Sequence, residues 1–445
     1  MNLTDKFLLP IIELSYNEID RDTEFFIRER LLDTIGVTIA GAKSLGKKID
    51  ILSNLLSSNP YGIKPIGSDK KFSIENAIFI NGINSHYLEL DDGIRFGASH
   101  PSAPLFSAFI PLMQYVKIDW DSFIKGCVCG YETCIRLAYA MQPSHYKRGF
   151  HPTATTGAPG VAVGVAVMRR WDYEIIKDSF SSACTSAFGT LKVIEDNSEI
   201  KPLNVGKTAL MGYLSAISAK AGFKSPDDPL NGDTGFLKMF SDNFNPEILF
   251  NSSDRLFLKS IYNKPYASCR HTHPVIEACL NLRQNPSLDL NKINQINVRT
   301  YDTIIGKHDS KDIKNTSSAK MSIPYCAAVA LKEGKAYVSQ FDISCINDEV
   351  IKDLISKTTV IGSQELTKFL PHKRIAEVEI ILEDNSRYID KIEYPKGEPE
   401  NPLSEKENHD KFMSLAIEGG LSINKANEIY NEIMFKSKPD LSVLW

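Results

Sequence analysis

The spacing of apolar residues changes twice along this chain, and that change narrows the folds open to it. Up to about Tyr262 they recur at helical intervals, as in RDTEFFIRERLLDTIGVTIAGA (21–42) and ENAIFINGINSHYLEL (75–90). Two segments rich in small residues, GAPGVAVGVAVMRRWD (157–172) and TALMGYLSAISAKAGF (208–223), suit helices packed closely together. After Tyr262 the texture differs. INQINVRTY (293–301) alternates apolar and polar residues, and RIAEVEIILEDNSRYIDKIEY (374–394) predicts a hairpin turning at Glu-Asp-Asn-Ser. AKMSIPYCAAVALKEG (319–334) between them predicts a buried helix. YPKGEPENPLS (394–404) holds three prolines and predicts a crossing linker, after which helical spacing returns in HDKFMSLAIE and KANEIYNEIMF. The expected fold is mainly α with an inserted α+β domain. Residues 1–262 and 397–445 would form one large helical domain and residues 263–396 a smaller α+β lid. A chain of 445 residues is long enough for two cores.

Bulk properties exclude several function classes. The net charge of −4 gives no electrostatic footprint for nucleic acid or a membrane surface, so any anion site must come from local positive charge. No stretch is apolar for long enough to span a bilayer. MNLTDKFLLPIIELSY lacks a signal peptide's basic start and cleavage site, and a cytoplasmic location is expected. The eight cysteines read as buried thiols, and Cys127, Cys129 and Cys134 lack the spacing of a zinc or iron–sulfur site. No P-loop, dinucleotide fingerprint or nucleophile elbow is present, so neither cofactor nor metal is expected.

Four motifs concentrate groups able to do chemistry. In NSHYLELDDGIRFGASHPSAP (84–104) a helix ends in Glu89, Asp91 and Asp92, carboxylates that could orient or polarise His100. Negative charge at that end opposes the helix dipole, so a function for it is expected. In PSHYKRGFHPTATTGAPG (143–160) Tyr146 could act as acid or hydrogen-bond donor, with Lys147 and Arg148 beside it. His151 precedes a helix that Thr155 or Thr156 would cap, leaving free N–H groups for an anion. In EDNSEIKPLNVGKTA (195–209) Lys201 stands at a helix start, where a cation is relieved by an anionic partner; Lys207 reads as solvated. NKPYASCRHTHPVIEA (263–278) brings Lys264, Arg270, His271 and His273 to the expected domain junction. Together these motifs predict an anion-binding cleft with histidines for proton transfer.

The four motifs, in this order and joined by LNGDTGFLKMF, SIPYCAAVAL and PKGEPENPLS, resemble the MmgE/PrpD family over nearly the whole chain. That resemblance implies a helical domain built from both chain ends, an inserted α+β lid, a homodimer and a cofactor-independent enzyme. It implies that His100, His151 and Lys201 carry catalysis together with the matched Asp92, and Tyr146 joins this catalytic set on the reading of its own motif. Glu89, Asp91, Arg148, Lys264, Arg270 and His273 are the candidates for substrate binding. The sequence departs from the family at Gly93-Ile94 after the acidic pair, at Glu89 in place of a common aspartate, and at Asn204 where histidine is common. The leading expectation is a hydro-lyase like 2-methylcitrate dehydratase, acting next to a carboxylate of a small polycarboxylic acid. The alternatives are a decarboxylase like cis-aconitate decarboxylase, an epimerase of a dicarboxylate, and a non-catalytic carboxylate-binding homologue.

Overall fold

A computed structural model of the chain describes residues 1–13, 19–194, 198–250 and 256–445. The first three residues of the motif 195–209 therefore lie outside the described residues. The structure is mostly helical, with a small mixed sheet of four strands.

The long helix Arg21–Leu45 is the central post. Asp20 caps it by accepting from the Thr23 amide, and Asp22 and Glu24 sit in its first turn, where the helix dipole favours them. Ile27, Leu31, Ile35 and Ile39 are buried along it. The C-terminal helix Glu405–Glu418 starts at a reciprocal capping box between Ser404 and Glu407 and lies against this post. Phe412 and Leu415 pack over Gly36, and Lys411 pairs with Asp33 at 2.5 Å. Helix Ile423–Phe435 follows and adds Ala426, Ile429 and Ile433 to the same apolar cluster.

Helices close to the site pack with almost no side chain between them. Pro152–Met168 lies on Trp120–Ala140, where Gly160 meets Cys134 and the Gly130 carbonyl. Ile74–His86 crosses Lys201–Lys220 at Gly82 and Gly206; a Cβ on Gly82 would come within 2.5 Å of the Gly206 Cα. That crossing lies about one turn from His86 at the end of one helix and from Lys201 at the start of the other.

The sheet runs in the order Thr358–Ser363, Ile293–Tyr301, Ala376–Leu382, Arg387–Ile392. The first pair is parallel and the other two are antiparallel. Ala376–Leu382 alternates between buried and half-buried positions, as a strand packed on one face should. Helices His273–Arg283 and Ile323–Glu333 pack with the sheet in one apolar cluster, which also takes in Val37, Leu88 and Leu90 from the helical part. The predicted hairpin is present, with Asn385 at φ 67° in its turn. The stretch 319–334 differs from its expected single helix: Ser322 ends Thr316–Met321 and caps Ile323–Glu333. The stretch 394–404 is more than a linker. It is tied back to the start of the α+β part, where the Asn263 amide donates to the Gly397 carbonyl at 2.9 Å.

Candidate active site

Glu89 is the centre from which the site is built. It lies three residues beyond the helix Ile74–His86 at φ 55°, a left-handed conformation that costs a side-chain-bearing residue about 1 kcal/mol. The turn sends its carboxylate towards two lysines. Lys201 Nζ lies 2.5 Å from Glu89 Oε1, and Lys264 Nζ lies 3.7 Å from Oε2 while donating to the Glu89 carbonyl at 2.7 Å. Burial would raise the Glu89 pKa, but the two lysines, His86 and His100 overcome it and hold the carboxyl well below its usual range. The same carboxylate affects its partners unequally. Burial pulls both lysines down; the direct contact more than restores Lys201, whereas the more distant Lys264 stays lowered.

A second cluster adjoins the first. His86 Nδ1 donates to Asp91 Oδ2 at 2.7 Å. His100 Nδ1 donates to the Asp92 carbonyl at 2.6 Å and is 3.6 Å from Asp91 Oδ2. That hydrogen bond leaves His100 Nε2 as the lone-pair nitrogen. The ring centroid of His86 is 5.0 Å from that of His100 and 6.2 Å from that of His151. Burial pushes His100 down to about 3, opposed by Asp91, and holds His151 well below its ordinary value with help from Lys201. Both rings are therefore neutral near pH 7. Buried His86 Nε2, His151 Nδ1 and Asp91 Oδ1 have no hydrogen-bond partner among the described residues.

A cavity of about 830 Å³ opens between the helical part and the α+β part; Glu89 and Lys201 reach its lining, whereas His86, His100, His151 and Lys264 are not among its lining residues. Glu89, Tyr146 and Lys201 line it on one side, and Lys307, His308 and Lys320 on the other. Burial pushes the Tyr146 phenol up, so it keeps its proton near neutral pH.

Several expected site residues stand elsewhere. The Asp92 carboxylate is turned to the start of helix Ser102–Tyr115, where Ser102 donates to it through both amide and hydroxyl. Burial raises it to about 7, and only its backbone carbonyl serves His100. Arg270 is fully engaged with Glu398, the carbonyls of Pro395 and Lys396, and His273 Nδ1. His273 is thereby consumed as well, its Nε2 facing the Ser268 carbonyl at 3.3 Å. Arg148 faces Asp242 at 3.6 Å and the Phe150 ring, away from the cavity lining. Thr155 and Thr156 do not cap the helix after His151. It starts earlier, at Pro152, and both hydroxyls donate back to carbonyls within its first turn. Lys207 is exposed, as expected.

Sequence reasoning missed three residues. His86, five positions before Asp91, is the ring that links both other histidines. Lys320 and Arg374 are buried cations of the α+β part, and Arg374 NH1 has no hydrogen-bond partner among the described residues. Neither of these two sits in a motif that spacing could flag.

Among the described residues, two groups have ligand atoms within 4.8 Å of one another, His86–Asp91–His100 and Cys269–His271–His308. In the first, both Nδ1–H groups are already given to oxygen acceptors. In the second, His271 and His308 each have Nδ1 engaged, by the Tyr301 hydroxyl and the Met321 carbonyl, which leaves Nε2. After burial, Arg374 and Lys307 are among the groups that lower His271, so the local field there opposes a cation and suits an anion.

The MmgE/PrpD N-terminal domain model matches residues 10–249 and the C-terminal domain model matches residues 266–432. The chain belongs to the MmgE/PrpD family. Among curated proteins it is similar to a cis-aconitate decarboxylase-like protein, oryM, of Aspergillus oryzae. The two are 24% identical over 454 residues, covering 93% of this chain and 90% of the relative. Membership of this family supports a lyase-type enzyme. No helix among the described residues is long and apolar enough to cross a membrane.

Proposed function

We propose that this protein is a cofactor-independent hydro-lyase that removes water from a small hydroxy-polycarboxylic acid. The observation that carries this reading is the pair of neutral histidines beside a lysine-bearing cavity. A neutral ring with a free Nε2 is a base, and dehydration next to a carboxylate begins with loss of an α proton. Lys201 and Lys264 offset the charge that builds on the carboxylate as that proton leaves. His100 Nε2 takes the proton, with Nδ1–H fixed by the Asp92 carbonyl. Tyr146, kept protonated by burial, gives its proton to the departing hydroxyl, which leaves as water while the carbon–carbon double bond forms. His151 serves as the second proton carrier: it relays the proton that His100 took to the Tyr146 phenolate, which returns all three groups to their starting states. Glu89 holds the two lysines in register and Asp91 holds His86. Residues 263–396 act as a lid, the active unit is a cytoplasmic homodimer joined through its helical part, and the substrate is the small acid alone.

A decarboxylase is the second reading, favoured by the name of the similar Aspergillus protein. Loss of carbon dioxide needs no base to start, only a proton donor for the product carbon, so it leaves the lone pair on His100 without a task. Incubation with a panel of hydroxy- and unsaturated polycarboxylates in deuterium oxide, read by mass spectrometry, separates the readings. Loss of water supports the proposal; loss of carbon dioxide, or deuterium uptake with neither loss, replaces it with decarboxylation or epimerisation. Binding with no change in mass would make the chain a non-catalytic homologue.

A further inference from the structure

Among the described residues Lys320 has no carboxylate partner. It lies near the end of the short helix Thr316–Met321 in the α+β part and is only 2% exposed. No carboxylate lies within ion-pair distance of it among the described residues; its ammonium group sits 5.5 Å from the centre of the Tyr87 ring. Tyr87 and Lys320 both line the cavity, on the helical and the α+β side respectively. A buried ammonium without an anion is costly, because burial removes its water and nothing replaces it. The carboxylate that acts most strongly on it is Glu89, which is already engaged by Lys201 and Lys264. Three lysines thus lean on one carboxylate around this space. A ligand with more than one carboxylate would supply the negative charge that this arrangement lacks.

We propose that Lys320 binds a second carboxylate of the substrate, distinct from the one held by Lys201 and Lys264, so that one acid molecule ties the α+β part to the helical part. This rests on the proposed polycarboxylate chemistry and narrows it: the substrate carries carboxylates at two separated positions, and a monocarboxylate fills half the site. Tyr87 supports the ammonium through its ring face and leaves the N–H groups to the ligand. The backbone around Lys320 is held from the junction motif, where the Cys269 amide donates to the Lys320 carbonyl at 2.9 Å.

The test uses the full chain and tricarballylate, a tricarboxylate without a hydroxyl to eliminate, with propionate as the monocarboxylate control. Calorimetric titration of Lys320→Met should show tricarballylate binding weakened by roughly 10–100-fold, the loss typical of one hydrogen bond to a charged group, and propionate binding unchanged. Lys320→Arg should recover part of the affinity. The unliganded Lys320→Met protein should melt at or above the temperature of the unsubstituted protein, since an unpaired buried charge has been replaced by an apolar side chain of similar length. A purely structural lysine would give a lower melting temperature instead. Equal tricarballylate affinity in Lys320→Met and the unsubstituted protein overturns the inference and leaves the hydro-lyase reading standing. Failure of the unsubstituted protein to bind or turn over any polycarboxylate overturns both.

Discussion

Two buried carboxylates in this chain each sit between two cations, and they do different things. Glu398 lies between Arg95 and Arg270; Glu89 lies between Lys201 and Lys264. Glu398 is sealed in the junction, and Arg270 is further bound by two carbonyls and a histidine. The planar forks of arginine suit such a fixed arrangement. Glu89 and Lys201 open on the cavity, with Lys264 buried behind them, and Lys201 is a compact charge on a flexible stem that can turn from a carboxylate of the protein to one of a ligand. Similar charge counts therefore give a clamp in one place and a binding site in the other. What separates them is access to the cavity.

The largest expected effect falls on the open side. His100→Ala and His151→Ala should each lower turnover by roughly 10²–10⁴-fold, the usual contribution of a general acid or base, with little change in melting temperature. Near-normal turnover in either variant removes that ring from the proton path. On the sealed side, Glu398→Gln removes the negative charge shared by two buried guanidinium groups, but Arg95 keeps Glu400 and Arg270 keeps its carbonyls, so the change should cost about 1–3 kcal/mol in chemical denaturation, while the folded fraction keeps its turnover. Glu89→Gln should do the reverse, losing most turnover for a smaller stability cost, because Lys201 lines the cavity where water and ligand can reach it. If both glutamine variants behaved alike, the distinction between clamp and site would collapse.

Two pH responses sharpen it further. Lys320 is pushed down to about 8 by burial, and Lys264 adds to this while Glu89, Asp342 and Glu418 oppose it. Its charge is present below that value and lost above it, so the substrate KM should climb as pH rises past about 8, and Lys320→Met should flatten that climb. His100 is lowered from its ordinary value to about 3. The unfolded chain takes up that proton at higher pH than the folded one, so stability falls as pH drops below about 6.5 and the loss is complete near 3. Thermal melts across that range should show the decline, with His145, pushed down to about 4, adding to it. The smallest effect is expected for Arg148→Ala, which should change KM by less than about twofold, in the range of an exposed ion pair.

Much of the fold is legible in the amino-acid sequence. Period-2 and helical patterns locate the hairpin, the strand Ile293–Tyr301 and the helices at both ends of the chain. Strand Thr358–Ser363 escapes them because it is six residues long, starts directly after a helix and places Val360 beside Ile361 instead of alternating them. At the candidate site, the motifs name the neighbourhood but not which side chains meet there. Asp91 and Asp92 are adjacent, and successive residues of an irregular turn point in different directions; here Asp91 serves the histidines and Asp92 a helix start. No spacing rule distinguishes them. Arg270 and His273 look available in the sequence because the partners of Arg270, Glu398 and the carbonyls beside it, come from more than a hundred positions away.

The crossing of Gly82 over Gly206 has a consequence for how this enzyme could vary. His86 and Lys201 belong to separate helices, and the offset between them is set where two backbones touch. A methyl group at either glycine would act as a spacer, since it would have to displace Gly206 backbone atoms or the Phe79 carbonyl. Lys201 would then move relative to His86 and to Glu89, its partner just beyond the His86 helix. A Gly206→Ala protein is thus expected to keep its fold while stretching the Lys201–Glu89 pair and losing the alignment between the histidines and Lys201. A position with no side chain and no contact with substrate would behave in a mutational scan like a catalytic residue.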